Sequence, residues 1–403
     1  MVRAAKFLID AYRQDDEQGP AAAGVRETAP EPTATTVLGP VPAAELGFTS
    51  MHDHVLWDGR GYRRRWEDRL PTDGPVHPDD PVSLGNIGLL QHDMNLSWDA
   101  VTMRDRPAIT EELREYREAG GRTLVEMSAV GLRCDIEGIR EASRDSGVNI
   151  VATTGFYMGD FWPEEFRGWS SERYDEHMTR EILEGIDGTD VKAGHLKIAI
   201  SDLTRDEENA LRAAARVAAR TGLSLTVHPG FGIGSGHDRL TRILLEEGLA
   251  PDRVVLAHSQ AFLMGSEDFA TLVTQPDLGS LRFGYLDALL EQGFNLSVEC
   301  FGHTWAAEST GWVLETDWQR LAAVVHMVRA GGSPQLVLGN DVYLKILTRR
   351  YGGSGYRRLP GFVAPFLRNI GVSDFDVRRM TVENPARLLA AQRAASTPPP
   401  RGE

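Results

Sequence analysis

Short apolar runs that close on a polar residue alternate along this chain with longer segments of helical periodicity. Eight such runs occur: GFTSMHDH (47–54), RTLVEMS (122–128), NIVATTG (149–155), HLKIAIS (195–201), LSLTVHP (223–229), RVVLAHS (253–259), NLSVEC (295–300) and QLVLGND (335–341). Continuous apolar character without strict alternation is what a strand covered on both faces requires. The segments between them, such as ITEELREYREAGG, TRDEENALRAAARVAARTG, DRLTRILLEEG, YLDALLEQG and WQRLAAVVHMVRAGG, are amphipathic and end on glycine, as a helix C-terminus does. Eight strands separated by helices predict a closed parallel (β/α)8 TIM barrel over residues 34–403, with its chemistry at the C-terminal ends of the strands. Residues 1–33 carry a loose helical pattern and then a Pro, Ala and Thr mixture, which predicts a mobile N-terminal extension.

The polar residues that close the runs are chemically selective. His52 and His54 end the first run, and residues two apart on a strand share a face, so both imidazoles can reach one ion. A lone His-X-His arises readily by chance. It gains weight here because Lys197 lies in the fourth run, while His228, His258 and Asp341 close the fifth, sixth and eighth. Imidazole and carboxylate donors suit Zn2+ first, with Mn2+, Co2+ or Fe2+ as neighbours in the same chemistry. Lys197 in the middle of an apolar strand must either pair with an acid such as Asp341 or lose its charge. A neutral amine reacts with carbon dioxide to give an anionic carbamate. His195, on the same strand face, reads as a residue of a lower barrel layer.

The stretches GFTSMHDH, VNIVATTGFY, EGIDGTDVKAGHLKIAIS, LTVHPG, RVVLAHS, VLGND and VENPARLL occur in this order. From about residue 37 to 390 the sequence resembles the phosphotriesterase family of the amidohydrolase superfamily. The resemblance implies a binuclear site. His52, His54 and Asp341 would hold the more buried divalent ion and His228 and His258 the more exposed one, bridged by carboxylated Lys197 and a hydroxide. Asp341 would take the proton of that nucleophile and pass it to the leaving group.

Specificity is expected from the loops. Tyr157 matches a tyrosine that lactonase-like members carry close to the metals; it reads equally as packing with Phe156, Phe161 and Trp162. Members acting on phosphotriesters carry an Asp and a His as a proton relay after strands six and seven, where this chain has Ala261 and Cys300. The Asp-Arg pair of lactonase-like members is replaced by Glu299 and Cys300. A carboxylic ester, lactone or amide is therefore the expected substrate. Organophosphate hydrolysis and a catalytically inactive metal-binding barrel are the alternatives. Tyr157, Glu299, His303 and Trp57 are the candidate substrate contacts, Glu299 reading slightly better as a structural rim carboxylate. Trp305 and Trp312 extend the His303 loop, and Arg60 and Arg63 after the first run are candidates for a substrate carboxylate. The long stretch 262–284 is expected to cover the site, and GFGIGSG (230–236) reads as a flexible loop, not a dinucleotide fingerprint.

Composition narrows the partners. The formal net charge of −15 is spread without a basic block, which argues against a phosphate-backbone partner. Two cysteines, Cys134 and Cys300, make no disulfide framework and fit a reducing compartment. No signal-peptide pattern and no membrane-spanning apolar run are present. The expectation is a cytoplasmic protein with a small-molecule substrate and neither nucleic acid nor membrane as partner. The resemblance adds a homodimer to these expectations.

Overall fold

The structure, a computed structural model, describes residues 31–229, 237–263, 273–275, 281–303 and 314–390. Nearly all of the N-terminal extension, the 230–236 loop, most of the stretch after the sixth run, Trp305 and Trp312 lie outside the described residues. Each of the eight apolar runs contains one barrel strand: β1 Thr49–Asp53, β2 Thr123–Glu126, β3 Asn149–Phe156, β4 His195–Ala199, β5 Leu225–His228, β6 Val254–Leu256, β7 Asn295–Val298 and β8 Leu336–Leu338. They hydrogen-bond in sequence order as one eight-stranded parallel sheet. Apart from Asn149, every residue in these strands is buried. Sequential order with helical crossovers and two covered faces is the TIM-barrel arrangement.

The barrel closes between β8 and β1 through the residues that carry the chemistry. Asp341 N donates to the His52 carbonyl at 2.8 Å, His54 N to Val342 O at 3.2 Å and Asn340 N to Ser50 Oγ at 3.2 Å. Gly339 permits this approach, because a Cβ there would stand 2.8 Å from His52 Cβ. Asp53, the middle residue of the His-X-His, is buried in the same seam. It accepts from Val342 N at 3.0 Å and Asn340 Nδ2 at 3.4 Å. Burial raises its pKa to about 8.

The helices between and after the strands include α1 Arg106–Glu118, α2 Ile136–Ser146, α3 Ser171–Leu183, α4 Arg205–Thr221, α5 His237–Glu246, α6 Gly284–Glu291, α7 Asp317–Arg329 and the C-terminal α8 Asn384–Leu389. The capping logic is visible in α4, which starts on a Thr204/Glu207 capping box and stops at Gly222 with φ 73°. Glu207 also accepts from Ser201 N and Gly159 N, both at 2.9 Å, tying the loops after β3 and β4 together. At the opposite end of the barrel Ser224 Oγ and Arg253 donate to the Leu388 carbonyl and Arg387 to Asn295 Oδ1. His195 belongs to that layer, between Thr226 Oγ1 at 2.8 Å and Ser224 Oγ at 2.9 Å. Among the described residues, no helix is long and apolar enough to cross a membrane.

Candidate metal centre

Three residues just beyond strand ends, His258, Cys300 and Asp341, have φ of 53°, 64° and 56°. The left-handed region is uncommon for residues with a side chain, and such strain concentrates where function requires a particular side-chain direction. Here it turns the chain sharply after β6, β7 and β8, on the rim that also carries His52, His54 and His228.

Two groups of donor atoms converge there. In the first, Asp341 Oδ1 lies 3.5 Å from His52 Nε2 and 3.4 Å from His54 Nε2. In the second, His258 Nε2 and His228 Nδ1 are 2.7 Å apart. Lys197 Nζ is 3.2 Å from His52 Nε2 and acts electrostatically on His52, His228 and His258 alike. All six side chains are buried except that of His258, which is half-buried.

The electrostatics favour a bound cation. Burial lowers Lys197 to about 8 against the pull of Glu299 and Asp341, and lowers His52 to about 4 against Glu299. Burial opposes charge on the Asp341 carboxyl too, but the surrounding imidazoles outweigh it and hold its pKa well below the usual carboxylate range. Neutral His52 and His228, an anionic Asp341 and a deprotonatable amine are protonation states that metal ligation requires, whereas at His258 the effect of burial is outweighed by Glu299, which raises the pKa. Among the described residues three clusters could hold an ion: His52 with His54 and Asp341, His258 with Cys300 and Asp341, and His52 with His258 and Glu299.

A profile of the phosphotriesterase family matches residues 32–389. The chain belongs to the phosphotriesterase family. Its relatives include an N-acetyltaurine hydrolase of Salmo salar, 26% identical over 88% of this chain and 97% of the relative. A phosphotriesterase-related protein of Nematostella vectensis is 24% identical over 88% and 98%. Among solved structures, a resiniferatoxin-binding protein from Rhodobacter sphaeroides superimposes with a TM-score of 0.78 at 28% identity, covering 89% of this chain and 95% of that one. A lactonase from Listeria monocytogenes shares the fold with a TM-score of 0.69 at 19% identity, over 89% and 99%.

Family membership leaves the surroundings of the candidate ligands to be read from this chain. Glu299 is fully buried beneath them and faces the rear nitrogens of two imidazoles. Oε2 lies 2.8 Å from His258 Nδ1 and accepts from His258 N at 3.1 Å. Oε1 lies 2.9 Å from His52 Nδ1, although neither atom is aligned for a hydrogen bond. His54 is held separately, its Nδ1 2.8 Å from Ser128 Oγ. One carboxylate thus orients an imidazole from each donor group, a geometry that suits a positioning role better than substrate contact. Outer partners of this type are worth about ten- to one-hundred-fold in metal affinity. Glu299→Gln is expected to weaken metal binding by about that factor, read by chelator competition. Unchanged affinity with raised KM would return Glu299 to a substrate role.

Of the other sequence candidates, the Tyr157 ring lies 5.5 Å from that of His228 and its hydroxyl bonds that of Tyr62. The buried Trp57 ring is 5.4 Å from His54. His303 is 5.7 Å from Tyr343, whose ring in turn lies 6.2 Å from His54. Cys300, in the place of the relay histidine, sets Sγ 3.4 Å from Asp341 Oδ2. Arg60 and Arg63 are used internally: Arg60 forks onto Asp58, and Arg63 stacks on Trp98 and donates to the Asn95 carbonyl. Sequence reading passed over Arg320, a buried cation in the first turn of α7. The signal was present, since Arg320 precedes Val324 and Met327 by helical spacing and so shares their buried face.

Proposed function

We propose that this protein hydrolyses a carboxylic amide, with esters and lactones as slower relatives of the same reaction, using two divalent ions. The observation that carries the reading is the pair of donor groups converging on Lys197, a buried amine whose only hydrogen-bond partner among the described residues is His52. No ion pair to Asp341 occupies it. His52, His54 and Asp341 would hold one ion and His228 and His258 the other, with carboxylated Lys197 between them. Three buried anions, Asp341, Glu299 and the carbamate, then balance most of the charge of two divalent ions. When bound, the ions supply a water acidified toward hydroxide and an electrophile for the carbonyl oxygen.

The remaining work falls to the chain. Asp341 Oδ1 faces the histidine pair as the atom that would ligate the ion, and Oδ2 would accept the proton of the attacking water. It then returns that proton to the departing nitrogen, which an amide needs before its C–N bond can break. Oδ2 faces Cys300, and that contact holds the carboxylate's orientation. In the Tyr62–Tyr157 hydroxyl pair one hydrogen is spent on the pair and the other remains free to donate to substrate. Burial raises both phenols, so they stay protonated donors.

Support for an amide comes from the relatives named N-acetyltaurine hydrolase and from Ala261 and Cys300 standing where the phosphotriester relay would be. The test is kcat/KM for metal-loaded protein on N-acetyltaurine, N-acetyl amino acids, a simple ester, a lactone and a phosphotriester. Amide turnover is expected to lead. Faster turnover of the phosphotriester than of every carbonyl compound would overturn the proposal.

A further inference from the structure

Arg320 is fully buried, yet half of its guanidinium has nothing to bind. Nη1 donates to Asp317 Oδ1 at 3.0 Å and to the His303 carbonyl at 3.4 Å. Among the described residues Nε and Nη2 have no hydrogen-bond partner. Those two atoms form one edge of the guanidinium, the edge with which Arg60 grips both oxygens of Asp58 in this same chain. Among the described residues Arg320 is the only arginine with that whole edge buried and empty. Leaving charged donors unsatisfied in the interior is costly, and the cost is removed by an acceptor that arrives with a ligand.

His303 repeats the observation beside it. Both ring nitrogens are buried without a hydrogen bond among the described residues, the Asn340 backbone facing the ring out of alignment. Arg320 is the strongest charged neighbour of this imidazole. The pair adjoins the metal centre: His303 N donates to the Cys300 carbonyl at 3.1 Å, and Cys300 Sγ reaches Asp341. Glu315 is buried within electrostatic reach of Arg320 but makes no ion pair with it.

We propose that Arg320 and His303 form an anion subsite next to the metal centre, which takes the carboxylate or sulfonate tail of the substrate. Arg320 grips two oxygens of the tail and His303 donates to a third or to the linking atoms. This rests on the amidase reading for what lies at the metals, but the subsite itself is testable apart from turnover.

Two matched pairs separate charge from shape: N-acetylglycine against N-acetylglycinamide, and N-acetyltaurine against its sulfonamide. Arg320→Met is expected to raise KM for the anionic member of each pair at least about ten-fold, with kcat changed only a few-fold and the neutral member unaffected. Arg320→Lys, which keeps the charge without the fork, should recover part of the loss. His303→Ala serves where Arg320→Met fails to fold. Calorimetric titration with ethanesulfonate provides a readout independent of hydrolysis, and Arg320→Met should weaken it by a similar factor. Equal loss on charged and neutral members, or ethanesulfonate binding that survives both Arg320→Met and His303→Ala, would overturn the subsite. If wild-type protein cleaves no N-acyl probe yet binds ethanesulfonate through Arg320, the amidase reading fails and the subsite stands.

Discussion

Asp341→Asn should lower kcat by about a hundred- to ten-thousand-fold while leaving a folded barrel. Asparagine is the informative replacement for two reasons. It is among the few residues that tolerate the left-handed backbone found at position 341, where φ is 56°. Its backbone N–H also still donates to the His52 carbonyl, so the β8 to β1 closure survives. What asparagine lacks is the carboxylate basicity that would take the proton at Oδ2, Oδ1 being the atom that faces His52 and His54. Metal content measured on the same preparation separates lost proton transfer from lost ligation. Full activity in this variant would remove Asp341 from the chemistry. Wild-type metal content with activity lost would place its role in proton transfer.

The architecture was legible because burial on both faces leaves a plain mark: eight apolar runs, each closed by a polar residue, each containing one strand of the observed barrel. The candidate donors stood out for the same reason, since His52, His54, His228, His258 and Asp341 fall at or near the ends of apolar runs, where such barrels keep their chemistry, and Lys197 interrupts the middle of one. Direction was not legible. Glu299 closes its run like the others, but its two oxygens turn toward the rear of imidazoles on β1 and after β6, and only the assembled barrel brings those together. Asp53, framed by two histidines, looks like part of the site and instead seals the β8 to β1 seam. The arginines show the same limit. Arg60 and Arg63 stand in the short helix Arg60–Arg65 after the first run, where ligand contacts are expected, and are engaged internally by Asp58 and by Trp98 with Asn95. Arg320 lies on a helix face that periodicity assigns to the core, and among the described residues it is the arginine left with an empty fork.

Lys197→Met should abolish metal-dependent turnover without unfolding the protein. If Lys197 bridges two ions as proposed, its loss would remove several kcal/mol of transition-state stabilisation, on the order of a thousand-fold in rate or more. Metal stoichiometry should fall in parallel. The effect on the metal-free fold has the opposite sign. Burial lowers the Lys197 pKa from 10.5 to about 8, so the unfolded chain binds this proton more tightly than the folded one. Folding is then penalised in full below the folded value, and the penalty disappears as pH rises toward the unfolded one. Metal-free Lys197→Met is accordingly expected to melt higher than metal-free wild type at pH 7, with the gap closing between pH 8 and 10.5. A lysine held by an ion pair would behave differently, since its removal would strand a buried carboxylate and lower the melting temperature. Labelled bicarbonate distinguishes the carbamate directly: metal-loaded wild type should show a carbamate carbon resonance that Lys197→Met lacks. A wild-type spectrum without that resonance, at full metal content and activity, would eliminate the bridge and leave Lys197 as a neutral amine beside His52.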